Sequence, residues 1–292
     1  MKETINFEPS PRFNPLDDFL FLKVMGEKGD EKQLCGFLNA VLGRSGMETI
    51  KSVDILDNKS FVKDIITGKS CILDVLAVLE DGTKVNIEVQ LSNEYNMAQR
   101  SLFYWGKVYT NGINEGEDYQ ELDQVITINI VDFDFPPRDK IHTCFHIWED
   151  EDRTLMLDSV LEIHFINMVK WRKQADKDIA NDPLHRWLVW FDKSSPSELV
   201  EEVINMDIAI KTASEKQAFL VAQDWEIRDY LRRREMFELD KLSQLNHARR
   251  EGRAEGKEEK TYEIARNALT EGLSVEFVQK ITGLDLETIK NL

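Results

Sequence analysis

From residue 14 the apolar positions first recur at helical spacing. Asn14-Pro15 offers an Asx-type cap and a proline suited to a first helical position, with Asp17 and Asp18 near the positive end of the dipole. Phe21, Val24 and Met25 continue the spacing and Gly26 stops it. Asp30 then caps a second predicted helix, running through Leu34, Phe37, Leu38, Val41 and Leu42 to Gly43. After that the period becomes that of strands, over 50–56, 71–79 and 84–91, and Asp81-Gly82 is a tight hairpin signal between the last two. A helix over 96–112, with Leu102, Trp105, Val108 and Tyr109 on one side, leads to a β-rich stretch at 124–133 closed by Pro136-Pro137. Two more strands, 141–148 and 160–168, complete an α/β unit that ends near residue 170.

Beyond that unit the β signal fades. Residues 173–260 read as helical with one break at Ser194-Ser195-Pro196. The stretch 249–260 mixes charges of both signs with Gly252 and Gly256, which predicts a hinge. The tail is punctuated helix by helix: Ser274 and Asp285 are good N-caps, and Gly272 and Gly283 good stops. The expected organisation is therefore an α/β domain over 1–172, a helical region over 173–248, the hinge, and a short helical tail over 261–292.

Charge narrows the functions. The 292 residues carry 37 Lys and Arg against 54 Asp and Glu, a formal −17. Overall charge does not attract a polyanion to such a chain, so nucleic-acid contact needs a local basic patch or a bound metal. Cys35, Cys71 and Cys144 are far apart and form no CxxC pair, which suits buried thiols in a reducing compartment. No signal core opens the chain and no run reaches the ~18 to 20 apolar residues of a membrane span. These features predict a cytoplasmic protein with no membrane partner.

Two neighbouring strands carry the most telling residues. In 85–91, Val85, Ile87, Val89 and Leu91 share one face and Asn86, Glu88 and Gln90 the other. Taken alone, this is an edge strand with a solvated face. The preceding strand, 71–79, is apolar on both faces, as a central strand is, and Asp74 is its single ionisable residue. A carboxylate there is costly unless a cation or several donors compensate it. Counting outward from a turn centred between 81 and 82 puts Asp74 opposite Val89, beside Glu88 and Gln90. Two carboxylates meeting over a sheet are a plausible site for a hard cation.

This order of elements resembles the PD-(D/E)XK nuclease superfamily, and within it the recombination-promoting nuclease/transposase family. The resemblance is carried by Asn14 to Phe21, Phe37 to Gly43, Asp74, Glu88-Val89-Gln90, Arg100 to Trp105, Gly116 to Tyr119, Val125 to Phe133, and Leu161 to His164. The tail from Ala265 to Leu292 is similar to this family's usual ending. The resemblance implies a restriction-endonuclease-like mixed sheet flanked by helices, followed by an all-helical C-terminal region. It also implies a DNA endonuclease in which Asp74, Glu88 and the Val89 carbonyl hold Mg2+ or Mn2+. Gln90 stands where the superfamily has Lys, so it orients water by hydrogen bonds without adding charge. Asn167 stands where a Glu is expected. Asp18, as an outer-sphere metal partner, and Arg100, as a phosphate contact, line the cleft in this reading. Helix capping accounts equally for Asp18 and a surface ion pair for Arg100. A silent DNA-binding or assembly module that kept the nuclease fold is the alternative from a different class.

Other signals carry less. His142, Cys144 and His146 share a strand face and His164 lies on the next strand, residue types that zinc takes. Ligands at i, i+2 and i+4 along one strand span about 13 Å, too far for one ion to collect all three, so sheet packing is the expectation. The arginines at 232–234 and at 249, 250 and 253 read as a solvated helix face because glutamates are interleaved from 251 onward. The last three short helices have the form of a helix-turn-helix. The final one offers only Lys290 as a basic side chain, while Val275, Phe277, Val278, Ile281, Leu284, Leu286 and Ile289 are apolar. This composition favours an element for homo-oligomerisation over a reader of base edges.

Overall fold

A computed structural model describes residues 12–29, 31–56, 75–113, 116, 118–223 and 225–292. Six strands form one mixed sheet: β1 (Val53–Ile55), β2 (Val75–Leu79), β3 (Lys84–Gln90), β4 (Val125–Val131), β5 (His142–Phe145) and β6 (Leu161–Asn167). Their spatial order is β1-β2-β3-β4-β6-β5. The β1–β2, β2–β3 and β5–β6 pairs are antiparallel, while the β3–β4 and β4–β6 pairs are parallel. A parallel neighbour requires a crossover, and α3 (Met97–Thr110) supplies it between β3 and β4.

Both faces of the sheet are covered. On one, Ile87, Ile128 and Ile166 join a core with Phe21 and Val24 of α1 (Asp18–Met25) and Leu34, Phe37 and Leu38 of α2 (Lys32–Leu42). The same core takes in Trp171 of α4 (Met168–Lys173), Trp187 and Phe191 of α5 (Pro183–Phe191), Val203 of α6 (Ser197–Met206) and Ile210 of α7 (Ile208–Gln223). Phe37 meets Trp187 and Phe191 edge-on at 5.5 and 5.3 Å, the geometry aromatic rings favour. Gly36 lets α2 and α7 approach closely, since a Cβ there would lie 2.3 Å from that of Ala209. On the other face, α3 packs through Met97, Ser101 and Val108.

Helices α5 to α7 thus complete the sheet's own core, and the chain divides into compact units at 1–223 and 224–292. The division expected at 172 fails because the large apolar side chains of α5 and α7 belong to the first core. In the second unit, α8 (Trp225–Thr270) runs unbroken for 46 residues. It contains the whole stretch expected to be a hinge. Glu, Lys, Arg and Ala are strong helix formers, which outweighs the ~1 kcal/mol that each of Gly252 and Gly256 costs. Side-chain pairs one turn apart, His247 beside Glu251 at 3.2 Å and the ion pair of Lys260 with Glu263, add to this. The helices α9 (Val275–Thr282) and α10 (Leu286–Lys290) pack with the end of α8 through Ala265, Ala268, Val278 and Ile289. Ser274 and Asp285 cap them as expected, and Gly283 ends α9 in the left-handed conformation. Among the described residues no helix is long and apolar enough to cross a membrane.

Several local expectations shift. Asp17, not Asn14, caps α1, accepting from the backbone of Phe19 and Leu20; Asn14 makes the turn before it, accepting from Leu16 N–H. Asp30 lies outside the described residues, and Glu31 holds the cap position of α2. Leu102 is 52% exposed, because the sheet-facing side of α3 follows residues 97, 101 and 108 instead.

Candidate active site

The hairpin between β2 and β3 sets the register of the central residues. Gly82 N–H donates to the Leu79 carbonyl, Leu79 N–H donates to that of Thr83, and Gly82 has φ +87. The loop therefore holds three residues, Glu80, Asp81 and Gly82, with glycine in the left-handed position such loops favour. A two-residue turn had been expected. The extra residue moves the ladder by one, so that Val75 faces Ile87 and Leu76 faces Asn86. Asp74 and Cys71 lie outside the described residues.

Strand β3 is not an edge strand. Flanked by β2 and β4 and covered by α3, it buries its polar face as well: Asn86 is fully buried and Glu88 is 2% exposed. The parallel ladder sets Asn86 beside Thr127 and Glu88 beside Asn129. A strip of four buried polar side chains thus runs across β3 and β4. Ser101 on α3 donates to the Asn129 Oδ1 at 3.0 Å, and Asn129 Nδ2 donates to the His164 carbonyl at 3.0 Å. Neither amide atom of Asn86 nor the Thr127 hydroxyl has a hydrogen-bond partner among the described residues. Buried polar atoms left this way cost free energy unless water or an ion completes them.

Arg100 comes down from α3 to this strip. Its Nη2 lies 3.8 Å from Glu88 Oε2 and its Nη1 3.9 Å from Glu94 Oε2. Its guanidinium also sits 5.1 Å from the ring centroid of Tyr104. Gln90 is half-buried, and its Nε2 donates to the Ser92 carbonyl at 3.0 Å, back toward its own strand end. Val89 points into the opposite core. The Gln90 carbonyl accepts from Asp132 N–H on the β4 side, so strand alternation turns the Val89 carbonyl toward the β2 side. Asp18 is exposed in the first turn of α1. Asn167 caps α4, accepting from Lys170 N–H at 2.9 Å, and its Nδ2 donates to the Phe135 carbonyl at 3.0 Å.

A second polar cluster lies at the sheet edge, on the other face. Cys144 pairs with His164 across the β5–β6 ladder. Cys144 Sγ is 3.3 Å from His146 Nε2, 3.6 Å from His164 Nε2 and 4.0 Å from Glu162 Oε1. Glu162 Oε1 is 2.6 Å from His164 Nε2, and His164 Nδ1 is 2.8 Å from His142 Nε2. Burial, then the charge of His164, pushes the His142 pKa down to about 4. Burial, then the charge of Glu162, pushes the Cys144 thiol up to about 12. The hydrogen bond with His164 holds Glu162 below its usual range, against the opposing effect of burial. The single-strand spacing argument left out Glu162, which β6 brings alongside. A cross-strand count of His/Cys/Glu at i and i+2 on paired strands would have found it.

Two family profiles match this chain. Residues 15–248 match the PD-(D/E)XK nuclease family transposases, and residues 258–292 match the C-terminal helix-turn-helix domain of the Rpn/YhgA-like nuclease family. No curated protein and no solved structure matches. The tail thus has the helix-turn-helix form expected of its short helices. The sheet order, the crossover helix and the match over 15–248 lead to one conclusion: the chain belongs to the PD-(D/E)XK nuclease family transposases.

Proposed function

We propose that this protein is a divalent-metal-dependent DNA endonuclease, cleaving phosphodiester bonds in recombination or mobile-element processing in the cytoplasm. The observation that carries the reading is Glu88, a carboxylate held at 2% exposure in a central strand and met by a cation from the crossover helix. Burying such a group is costly unless charge compensates it. The donors near it suit Mg2+ or Mn2+: a carboxylate, the Val89 carbonyl directed toward β2, and the oxygens of Asn86 and Thr127, which have no hydrogen-bond partner among the described residues. Asp74, Glu88 and the Val89 carbonyl would hold the metal, which supplies Lewis-acid activation of water and phosphate. Gln90 orients the attacking water, and Arg100 binds a phosphate oxygen.

The test is plasmid nicking by the purified chain with Mg2+ and with Mn2+. Asp74→Ala abolishes it while circular dichroism stays unchanged; wild-type nicking by this variant sinks the assignment. The second reading, a silent DNA-binding module, draws on the Gln90 amide being turned back to Ser92. Metal-independent DNA binding with no nicking by the wild-type chain would favour it. The helix-turn-helix tail adds DNA affinity, and its exposed Phe277, Ile281 and Leu286 join two copies. Deleting 258–292 then lowers both DNA affinity and the mass seen in light scattering.

A further inference from the structure

We propose that Cys144, His146 and Glu162 form a zinc site at the outer edge of the sheet, separate from the nuclease centre. One ligand atom from each of the three lies within 4.8 Å of the other two. In a tetrahedral zinc site, bonds of ~2.0 to 2.3 Å place neighbouring ligand atoms about 3.3 to 3.8 Å apart. The Cys144 Sγ to His146 Nε2 distance of 3.3 Å already matches, and the 4.0 Å from Sγ to Glu162 Oε1 needs only a small closing.

The surrounding hydrogen bonds prepare these atoms for a metal. His146 Nδ1 lies 3.2 Å from the Leu161 carbonyl, which can only accept. The proton therefore sits on Nδ1, leaving the lone pair of Nε2 directed at Cys144. This is the arrangement that ligating histidines adopt. Glu162 Oε1 is held by His164 at 2.6 Å, and His164 in turn by His142 at 2.8 Å. A chain of donors fits all three: His142 Nε2–H to His164 Nδ1, then His164 Nε2–H to Glu162. His142 and His164 are positioning residues in this scheme.

The donor set selects the ion. Thiolate, imidazole and one carboxylate suit Zn2+ and not the all-oxygen preference of Mg2+. On binding, the Cys144 thiol loses its proton to solvent. Three protein donors leave a fourth position for water, and Cys144 is solvent-accessible, so the ion can enter from outside. The site also lies where the sheet needs holding. The last β5–β6 pair is Phe145 with Ile163, and the donors His146 and Glu162 lie just past it. A metal there closes the open end of an edge strand.

Co2+ titration of the metal-stripped full chain tests this, because tetrahedral Co2+ with a thiolate ligand absorbs strongly in the visible and near ultraviolet. The expected result is a tetrahedral thiolate spectrum that saturates at one equivalent per chain, is displaced by Zn2+ and is accompanied by a rise in Tm. Cys144→Ser should remove the thiolate band and weaken binding at least 100-fold, and His146→Gln should weaken it tenfold or more. Glu88→Gln should leave the spectrum unchanged, which separates this site from the nuclease centre. Unchanged stoichiometry and spectrum in both edge variants, or no tetrahedral spectrum in the wild-type chain, would overturn the proposal.

Discussion

On β3 and β4 the clustered polar side chains are Asn86, Glu88, Thr127 and Asn129, withdrawn from solvent beneath α3; on β5 and β6 they are Cys144, His146, Glu162 and His164, at an open edge. The first group offers oxygen donors and amides, with a guanidinium 3.8 Å from its carboxylate. The second offers sulfur and imidazole nitrogen. The ladders place them on opposite faces, since Glu88 aligns with Asn129 and Phe165, whereas His164 aligns with Ile128. One sheet thus carries two donor sets of different softness and different access to water. In the central set, Asn86 and Thr127 have no hydrogen-bond partner among the described residues, as in a site that takes substrate and a hard ion. The edge set is joined by hydrogen bonds among its own members.

The largest expected effect separates the two sets outright. Glu88→Gln keeps the shape of the side chain and removes its charge. Metal-ion stabilisation of the reacting groups is worth several kcal/mol, so plasmid nicking should fall by about 10³-fold. Co2+ absorption from the edge set should not change. If the variant lost both, the two clusters would be one coupled system and the contrast between them would collapse.

The reciprocal change is smaller. His164 is buried and touches Glu162, Cys144 and His142 without belonging to the proposed ligand triad. Partners of this kind typically contribute 10- to 100-fold to metal affinity. His164→Ala should weaken Zn2+ binding within that range while nicking persists. His164→Gln, whose amide can donate to Glu162, should restore part of the affinity. Equal loss in both variants would point to a packing role for His164 alone.

The two clusters also differ in how far they could be read from the chain. Strand β4 was legible because six of the seven residues in Val-Ile-Thr-Ile-Asn-Ile-Val are β-branched, and all seven are buried. Glu88 and Gln90 were legible as a pair, yet alternation alone is the same for a solvated face and for one sealed by a helix. Only the position of β3 between two strands and under α3 decides it. The register slipped by one because Gly82 takes a left-handed conformation in a three-residue loop, which an Asp-Gly pair does not distinguish from a tighter turn. At the edge, His142, Cys144, His146 and His164 were read as sheet packing, and Glu162 was left out because it comes from a second strand that meets the first only through an antiparallel pairing. The predicted hinge failed because its glycines were weighed above the strong helix formers around them.

Gln90 gives a finer comparison. Its amide donates to Ser92 at 3.0 Å, so a water-orienting role requires that bond to open. Gln90→Lys places a charge near Glu88, where it can help acidify the water. Nicking at saturating Mg2+ should rise by up to ~10²-fold, the low end for such assistance, or begin at lower pH. Gln90→Ala should slow nicking while metal binding stays intact. Coincident pH–rate profiles for the three proteins would remove Gln90 from the chemistry and leave it as a strand-end contact.

Thr127 carries the smallest effect and tests why the central strip is polar at all. Its hydroxyl is buried and has no partner among the described residues, an arrangement that lowers stability unless something binds there. Thr127→Val keeps the β-branched shape that a buried strand favours and removes the unsatisfied oxygen. If the strip exists for function, the variant should gain about 1 kcal/mol in urea unfolding and lose part of its nicking rate, the exchange of stability for activity expected at a working site. A stability gain with full nicking would mean that Thr127 stands outside the site. A loss of stability would mean that buried water already satisfies the hydroxyl, so that the polar strip is structural and the contrast with the edge cluster rests on Glu88 and Arg100 alone.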